Sequence, residues 1–259
     1  VEFIRLLDRE FPDYLAEEWD NVGLQIASDN IAIRRVILTL DVSEDLLKYA
    51  LENKFNLVIS HHPLIFKPIK SIIAFNNFVS SLIHQFLAAN IALFVMHTNL
   101  DKVFFDRLSK ILELENIKPI SDEPDSEYSS FGSFGTLNKN IRLKDLLEII
   151  KKRLNLKNLI YVGDLNKEVK TVGSCGGTGT SYITSKLLDK NIDVFITSDL
   201  KYHTAQDAQR LGLAVVDAGH YNTEMVLLPE LKKKLEVLFE NSGIYFEIFD
   251  KADATLKFY

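Results

Sequence analysis

The stretch Leu57-Val58-Ile59-Ser60-His61-His62-Pro63 is a short apolar run that breaks, at its carboxyl end, into two imidazoles and a proline. A continuous run of this kind, bounded by turn residues, reads as a β-strand buried on both faces. The same reading applies to Val36-Ile37-Leu38-Thr39-Leu40 before it and to Ile91-Ala92-Leu93-Phe94-Val95-Met96 after it. Helical periodicity fills the gaps. Ser43 is a plausible N-cap with Glu44 and Asp45 in the first turn behind it, and Phe78 to Ala89 forms a second helix. Strands alternating with helices imply crossover connections and a mainly parallel sheet, so the expected class is α/β.

Farther along, a helix is expected near Phe104 to Leu114. The acidic, turn-rich segment from Lys118 to Tyr128 then gives the best boundary. The expected organisation is an N-terminal lobe over 1–118, a linker over 119–128 and a C-terminal lobe over 129–259, with no extra domain inserted. In the second lobe the pattern predicts helices near 143–154, 181–188, 204–211 and 223–238. Strands are predicted at 159–162, 169–172, 193–196, 213–216 and 244–249. The whole reads as two lobes of mainly parallel sheet flanked by helices.

Composition sets the function classes. Thirty Lys plus Arg against 36 Asp plus Glu leave a net charge of −6 on 259 residues. That balance, without a basic block, argues against phosphate-backbone binding, so nucleic acid is not an expected partner. The apolar run Ile91 to Met96 falls far short of the roughly 18 residues of a membrane-spanning helix, so no membrane role is expected. The N-terminal residues mix both charge signs into a helical stripe, unlike a secretory signal, and read as mature protein. The single cysteine, Cys175, cannot form an intramolecular disulfide, and a cytoplasmic location is the expectation.

The informative polar residues fall just past strand ends. Asp41 follows the first strand, His61 and His62 the second, and His97 and Asp101 the third. Asp199 and His203 follow Ile196, and Asp217, His220 and Glu224 follow Val216. In open α/β sheets that edge gathers side chains from several strands around a ligand. Five of the six histidines lie there; His84, inside a helical stretch, reads as an ordinary surface or core residue. Adjacent imidazoles in extended chain point opposite ways, so His61 and His62 share a site only where the chain turns, and Pro63 fixes such a departure. His97 with Asp101, and His220 with Glu224, each pair an imidazole with a carboxylate four residues on, although each His is expected to precede its helix. Imidazole and carboxylate suit zinc, iron, manganese, cobalt or nickel, and a lone Cys excludes a thiolate site. Three imidazoles and two carboxylates are too many for one catalytic ion with an open position but suffice for two. The excess positive charge would favour a bridging hydroxide or a small anionic ligand. Gly173 to Gly179, a glycine-rich loop between a strand and a helix, could cradle an anion on its backbone N–H groups, but it matches no phosphate-loop pattern and reads first as a tight structural turn. Lys67, Lys70 and Lys201 read as solvated surface residues.

Five segments together carry a resemblance: Glu17-Glu18-Trp19-Asp20-Asn21-Val22-Gly23-Leu24, Ile59-Ser60-His61-His62-Pro63-Leu64-Ile65-Phe66, His97-Thr98-Asn99-Leu100-Asp101, Cys175-Gly176-Gly177-Thr178-Gly179 and Asp217-Ala218-Gly219-His220-Tyr221-Asn222-Thr223-Glu224. In this order they resemble the signatures of the Nif-three-like family, often labelled GTP cyclohydrolase type 2 homologues. The resemblance implies a two-lobed α/β fold, a dinuclear metal site in the cleft between lobes and a homohexamer. Carried over by position, it implies His61, His62, Asp101, His220 and Glu224 as ligands, with one or both carboxylates bridging. His97 and His203 would lie beside the metals as proton-transfer groups. One departure is Ser198, which stands where a glycine is usual, next to Asp199.

Two function classes follow. The first is a metal-dependent hydrolase, cyclohydrolase-like or a phosphoesterase, acting on a nucleotide-like or phosphoester substrate through a metal-activated water. The second is a non-catalytic, hexameric metal-binding scaffold or regulator. A third reading, structural metal holding the lobes together, is disfavoured because the chain is long enough to bury a proper core.

Overall fold

The computed structural model of the chain describes residues 2–29, 32–73, 77–121, 130–183 and 185–250. In chain order the elements are α1 (Glu2–Glu10), β1 (Gly23–Ile26), β2 (Arg35–Thr39), α2 (Glu44–Glu52), β3 (Leu57–Ser60), α3 (Phe78–Ala89), β4 (Ala92–Val95), α4 (Thr98–Val103) and α5 (Arg107–Ile111). There follow β5 (Glu115–Pro119), β6 (Gly132–Arg142), α6 (Leu143–Arg153), β7 (Ile160–Val162), β8 (Glu168–Cys175), α7 (Ser185–Asp189), β9 (Val194–Thr197) and α8 (Tyr202–Leu211). The last elements are β10 (Ala214–Asp217), α9 (His220–Met225), α10 (Leu227–Leu238) and β11 (Tyr245–Ile248). They form two compact units. Among the described residues, one takes the chain up to Val103 together with residues 228–250, and the other takes Phe104–Leu227.

The first unit is built on a five-stranded sheet of order β1-β4-β3-β2-β11. β4, β3, β2 and β11 run parallel, and β1 joins antiparallel at the edge. Alternate residues of these strands enter different packing layers. Ile37, Val58, Leu93 and Val95 meet Leu46, Leu47 and Ala50 of α2 and Leu82, Ile83 and Phe86 of α3. Val36, Leu38, Leu57 and Ile59 are equally buried on the opposite parity, so both faces are covered, which is why these strands read as unbroken apolar runs. The Ser43 hydroxyl accepts the Leu46 amide at the start of α2, as its position predicts. Asn77 caps α3 in the same way, and Asn90, in the left-handed region at φ 53°, ends it.

The second unit carries a six-stranded sheet of order β5-β6-β8-β9-β10-β7. β8, β9 and β10 run parallel at its centre, with antiparallel pairings of β5 to β6, β6 to β8 and β10 to β7 around them. Val172, Val194, Ile196, Ala214 and Val216 face the α6 side chains Leu143, Leu146, Leu147 and Ile150. Phe195 and Val215, on the other parity, pack with Leu187, Ile192 and Ala208.

The α/β class holds in both units, and the departures from the sequence reading are local. β1, β5 and β6 are strands where none is predicted. β6 contains Gly132, Gly135, Asn138, Lys139 and Asn140, which have little β propensity, and it becomes a strand through its pairing with β8. The helix predicted near 104–114 instead starts at Thr98 and is divided into α4 and α5. The helix predicted over 223–238 is likewise two, α9 and α10. Pro229, which has no N–H to give a helix interior, sits in the first turn of α10. The division into units also differs from one drawn at 119–128, because β11 returns to pair with β2 and carries the C-terminal segment into the first unit. The linker predicted over 119–128 falls mostly outside the described residues. Among the described residues no helix is long and apolar enough to cross a membrane.

Two substitutions separate core packing from local capping. Phe86→Ala, at a fully buried ring, is expected to cost about 3–5 kcal/mol. Ser43→Ala should cost about 1 kcal/mol, both read from urea unfolding midpoints at unchanged slope.

Candidate metal centre

In the first unit the parallel strands β2, β3 and β4 deliver their carboxyl ends to one edge. The ladder runs on past β3: the His61 and His62 amides donate to the carbonyls of Thr39 and Leu40 at 3.0 and 2.9 Å. The chain bends at this pair, and the Ser60 hydroxyl donates to the His62 carbonyl at 3.0 Å. The bend turns two adjacent imidazoles, which extended chain would send to opposite faces, toward a common space. Their ring centroids are 5.1 Å apart, and His97 from the end of β4 lies 5.1 Å from His61 and 5.7 Å from His62. One ring nitrogen from each of the three histidines falls within 4.8 Å of the others, a spacing that can hold a metal ion.

Every imidazole in this group is held by its Nδ1. His61 donates from Nδ1 to the Met96 carbonyl at 3.0 Å, His62 to Asp41 at 2.9 Å and His97 to Asp20 at 2.9 Å. Carbonyl and carboxylate oxygens only accept, so the proton is on Nδ1 and the Nε2 lone pair remains for an electrophile. Metal-ligating histidines are oriented in this way. Asp20 also accepts the Thr98 amide at 3.0 Å and the Thr98 hydroxyl, which caps α4 from a distant loop and explains why the helix starts there. Burial opposes the charge on Asp20, but the bonds from His97 and Thr98 outweigh it and hold the carboxyl at about 2. Asp101, in the first turn of α4, places a carboxylate oxygen 3.6 Å from Nε2 of the buried His61.

In the second unit the same construction appears on β9 and β10. His220 is the first residue of α9, so it and Glu224 share a helix face instead of straddling the helix start as the sequence suggests. His220 Nε2 lies 3.1 Å from Glu224 Oε1, and its Nδ1 is 2.6 Å from Asp199 Oδ2. Asp199, past the end of β9 in the left-handed region at φ 55°, also accepts from the Thr178 and Ser198 hydroxyls. The substitution of Ser198 for the usual glycine thus leaves Asp199 directed at His220.

The Gly173 to Gly179 loop supports this carboxylate. Gly177 has φ +61°, and a Cβ there would collide with the Glu224 carboxylate, so only glycine lets the backbone approach so closely. The Gly177 amide donates to the Thr223 hydroxyl at 3.0 Å, fixing the loop to α9 one residue before Glu224. The tight-turn reading of this loop is therefore incomplete, since the turn also shapes the space around a candidate ligand.

The donor set fits a divalent ion. Two ligand atoms about 2.0–2.1 Å from one tetrahedral ion lie about 3.3–3.4 Å apart. The His61–Asp101 and His220–Glu224 separations of 3.6 and 3.1 Å bracket that value. His203 stands apart from this pattern: it is exposed on α8, its Nδ1 is 3.3 Å from Gln206 of the same helix, and among the described residues it belongs to no group able to hold a metal. Asp20, by contrast, has a role that no sequence signal assigns. It sits 77 residues from His97 on an irregular segment, and only folding brings the two together.

Without metal, His220 is an imidazolium between two carboxylates. The bond to Glu224 is the largest influence and, with Asp199, overcomes burial to raise its pKa from 6.5 to about 9. The stabilisation from this charge is full below pH 6.5 and is lost as pH rises through about 9. A ring-proton NMR titration of metal-free protein is expected to show a midpoint near 9, and Glu224→Gln should move it back toward 6.5. A wild-type midpoint near 6.5 would contradict the geometry. Metal at Nε2 must displace this proton, so affinity should rise with pH up to about 9.

The family model described as Duf34/NIF3 (NGG1p interacting factor 3) matches residues 1–253. A Streptococcus pneumoniae protein named GTP cyclohydrolase 1 type 2 homolog is 30% identical, covering 100% of this chain and 98% of its own length. One of the same name from Clostridium perfringens is 30% identical over 239 residues, 91% of this chain and 90% of that one. Among solved structures, a Staphylococcus aureus hypothetical protein superposes with a TM-score of 0.90 at 28% identity, covering 100% of this chain and 98% of its own. Reduced HcgD from Methanocaldococcus jannaschii gives a TM-score of 0.79 at 30% identity, covering 96% of each chain. The chain belongs to the Duf34/NIF3 family.

Proposed function

We propose that His61, His62 and Asp101 of the first unit, with His220 and Glu224 of the second, hold two divalent metal ions, and that the protein is a metal-dependent hydrolase. The observation that carries this reading is the common tie of four histidines by Nδ1, each to an oxygen that fixes the tautomer needed for ligation through Nε2. Zinc, iron, manganese, cobalt and nickel all suit imidazole and carboxylate donors. Such ions would supply Lewis acidity and lower the pKa of a water. The relatives' name, GTP cyclohydrolase 1 type 2 homolog, supports a nucleotide-like substrate.

The chain's own groups divide the work. Asp41, Asp199 and the Met96 carbonyl keep the ligand imidazoles oriented. His97, clamped through Nδ1 by an ionised Asp20, offers Nε2 as the atom that takes a proton from an attacking water and returns it to a leaving group. The carboxylates of Asp101 and Glu224 offset part of the ions' charge and leave the site attractive to an anion. His203, carried over only by resemblance, is a weaker candidate for proton transfer, since it is bonded within its own helix. We also propose a homohexamer, on the strength of the family resemblance.

Elemental analysis of protein purified without chelator should find two metals per chain. His62→Ala and Glu224→Ala should each lower that content while thermal unfolding still shows a folded protein, and unchanged content would remove the residue from the site. Gly177→Ala should act like a mild Glu224 variant, because the added methyl displaces the carboxylate. Phosphate and formate release from a nucleotide panel should require metal and fall at least tenfold in His97→Ala with metal retained. Two bound metals and no release would favour the binding scaffold. Light scattering should give a hexamer of the 29.6 kDa chain, and a monomer would end the assembly proposal.

A further inference from the structure

The chain has one tryptophan, and Trp19 is placed where its cost needs a reason. It is 58% exposed, yet it stands beside the histidine group of the first unit, its ring centroid 6.1 Å from that of His97 at a steep 74°. Phe66, itself 46% exposed, closes a second side at 6.0 Å and 64°. The ring is carried on a pinned segment. The next residue, Asp20, is bonded to His97 and to the Thr98 amide and hydroxyl. Asn21 and Gln25 both donate to the Ile65 carbonyl, and the Ile65 amide donates back to Gln25 at 2.9 Å, locking this segment to the loop that presents Phe66. A large apolar ring left open on a rigid mount has already lost the motion that stacking would otherwise cost.

We propose that Trp19 is the stacking platform for the planar ring of the ligand, and that this ligand is a small anion carrying a heteroaromatic base, of the mononucleotide class. The position would pair the two chemistries, because His97, 6.1 Å from the Trp19 ring, belongs to the histidine group that would collect positive charge with a metal bound. Aromatic stacking tolerates any base, so Trp19 sets the class of ligand and leaves the choice among bases to other groups. The inference deepens the metal reading but rests on it only for the anionic end of the ligand.

The sole tryptophan is its own reporter. Guanosine and adenosine monophosphate are titrated into the whole chain after incubation with a divalent metal and removal of the excess, with ribose 5-phosphate as the ligand that lacks a base. Emission is corrected for absorption against free tryptophan. Saturable quenching is expected from both nucleotides and none from ribose 5-phosphate. By calorimetry Trp19→Ala should weaken nucleotide binding at least tenfold, and Trp19→Phe should restore most of it. Ribose 5-phosphate binding and metal content should not change in either variant. Equal affinity for nucleotides and ribose 5-phosphate, or a Trp19→Ala effect within twofold, overturns the proposal. So does emission that shifts on dilution but not with nucleotide, which would assign the ring to a contact between copies. Metal content measured on the same samples separates the two readings. Quenching without bound metal sinks the metal centre and keeps the platform, whereas bound metal without quenching sinks the platform alone.

Discussion

The hydrogen bond from Nδ1 of each strand-end histidine to an oxygen acceptor is the interaction on which the candidate site depends. A free imidazole exchanges tautomers and rotates, and either change removes its Nε2 lone pair from a shared focus. In this chain the Met96 carbonyl, Asp41, Asp20 and Asp199 each accept one hydrogen bond from Nδ1 and fix one ring. Three of these acceptors are carboxylates, which strengthens the bond and makes the imidazole a better donor to a cation. The supporting carboxylates are thus as much a part of the site as the rings they hold.

The sheets supply the framework for this. Parallel strands buried on both faces cannot shift register without exposing Val36, Val58 or Leu93. The residues just beyond β2, β3 and β4 are therefore placed with the rigidity of the core although they lie on irregular chain. The second unit uses the same device at β9 and β10, and adds a backbone that approaches a carboxylate closely at Gly177. In both units a side chain with chemical potential sits on a short segment that leaves a well-packed strand, which lets strong polar groups be held in place without weakening the core.

Charge sets what such a site attracts. Without metal, His220 is held protonated by Glu224 and Asp199, and Asp20 is held ionised by His97 and Thr98 against the effect of burial. In the second unit one imidazolium faces two carboxylates, and in the first an ionised Asp20 faces a neutral imidazole, so negative charge is in excess around each group of histidines. A divalent cation entering at His220 Nε2 would replace one proton with two positive charges and offset that excess, more readily as pH rises and the proton is easier to displace.

Much of this was legible in the sequence, for a physical reason. Strands buried on both faces leave apolar runs, and β2, β3, β4, β9 and β10 appear as such runs with their His, Asp and Glu residues at the ends. The α/β class and the five candidate ligands follow from that pattern and from the family signatures. What the sequence did not reveal depends on pairings between distant residues. β6 is a strand because β8 lies beside it, α4 begins at Thr98 because Asp20 reaches it across 78 residues, and β11 joins the first unit by pairing with β2. The same holds for the rings themselves. One-dimensional spacing says that His61, His62 and His97 end their strands, but only the tertiary fold decides that their Nδ1 atoms find acceptors and that a ring nitrogen of each falls within 4.8 Å of the others, because hydrogen-bond partners that far apart leave no local trace in the chain.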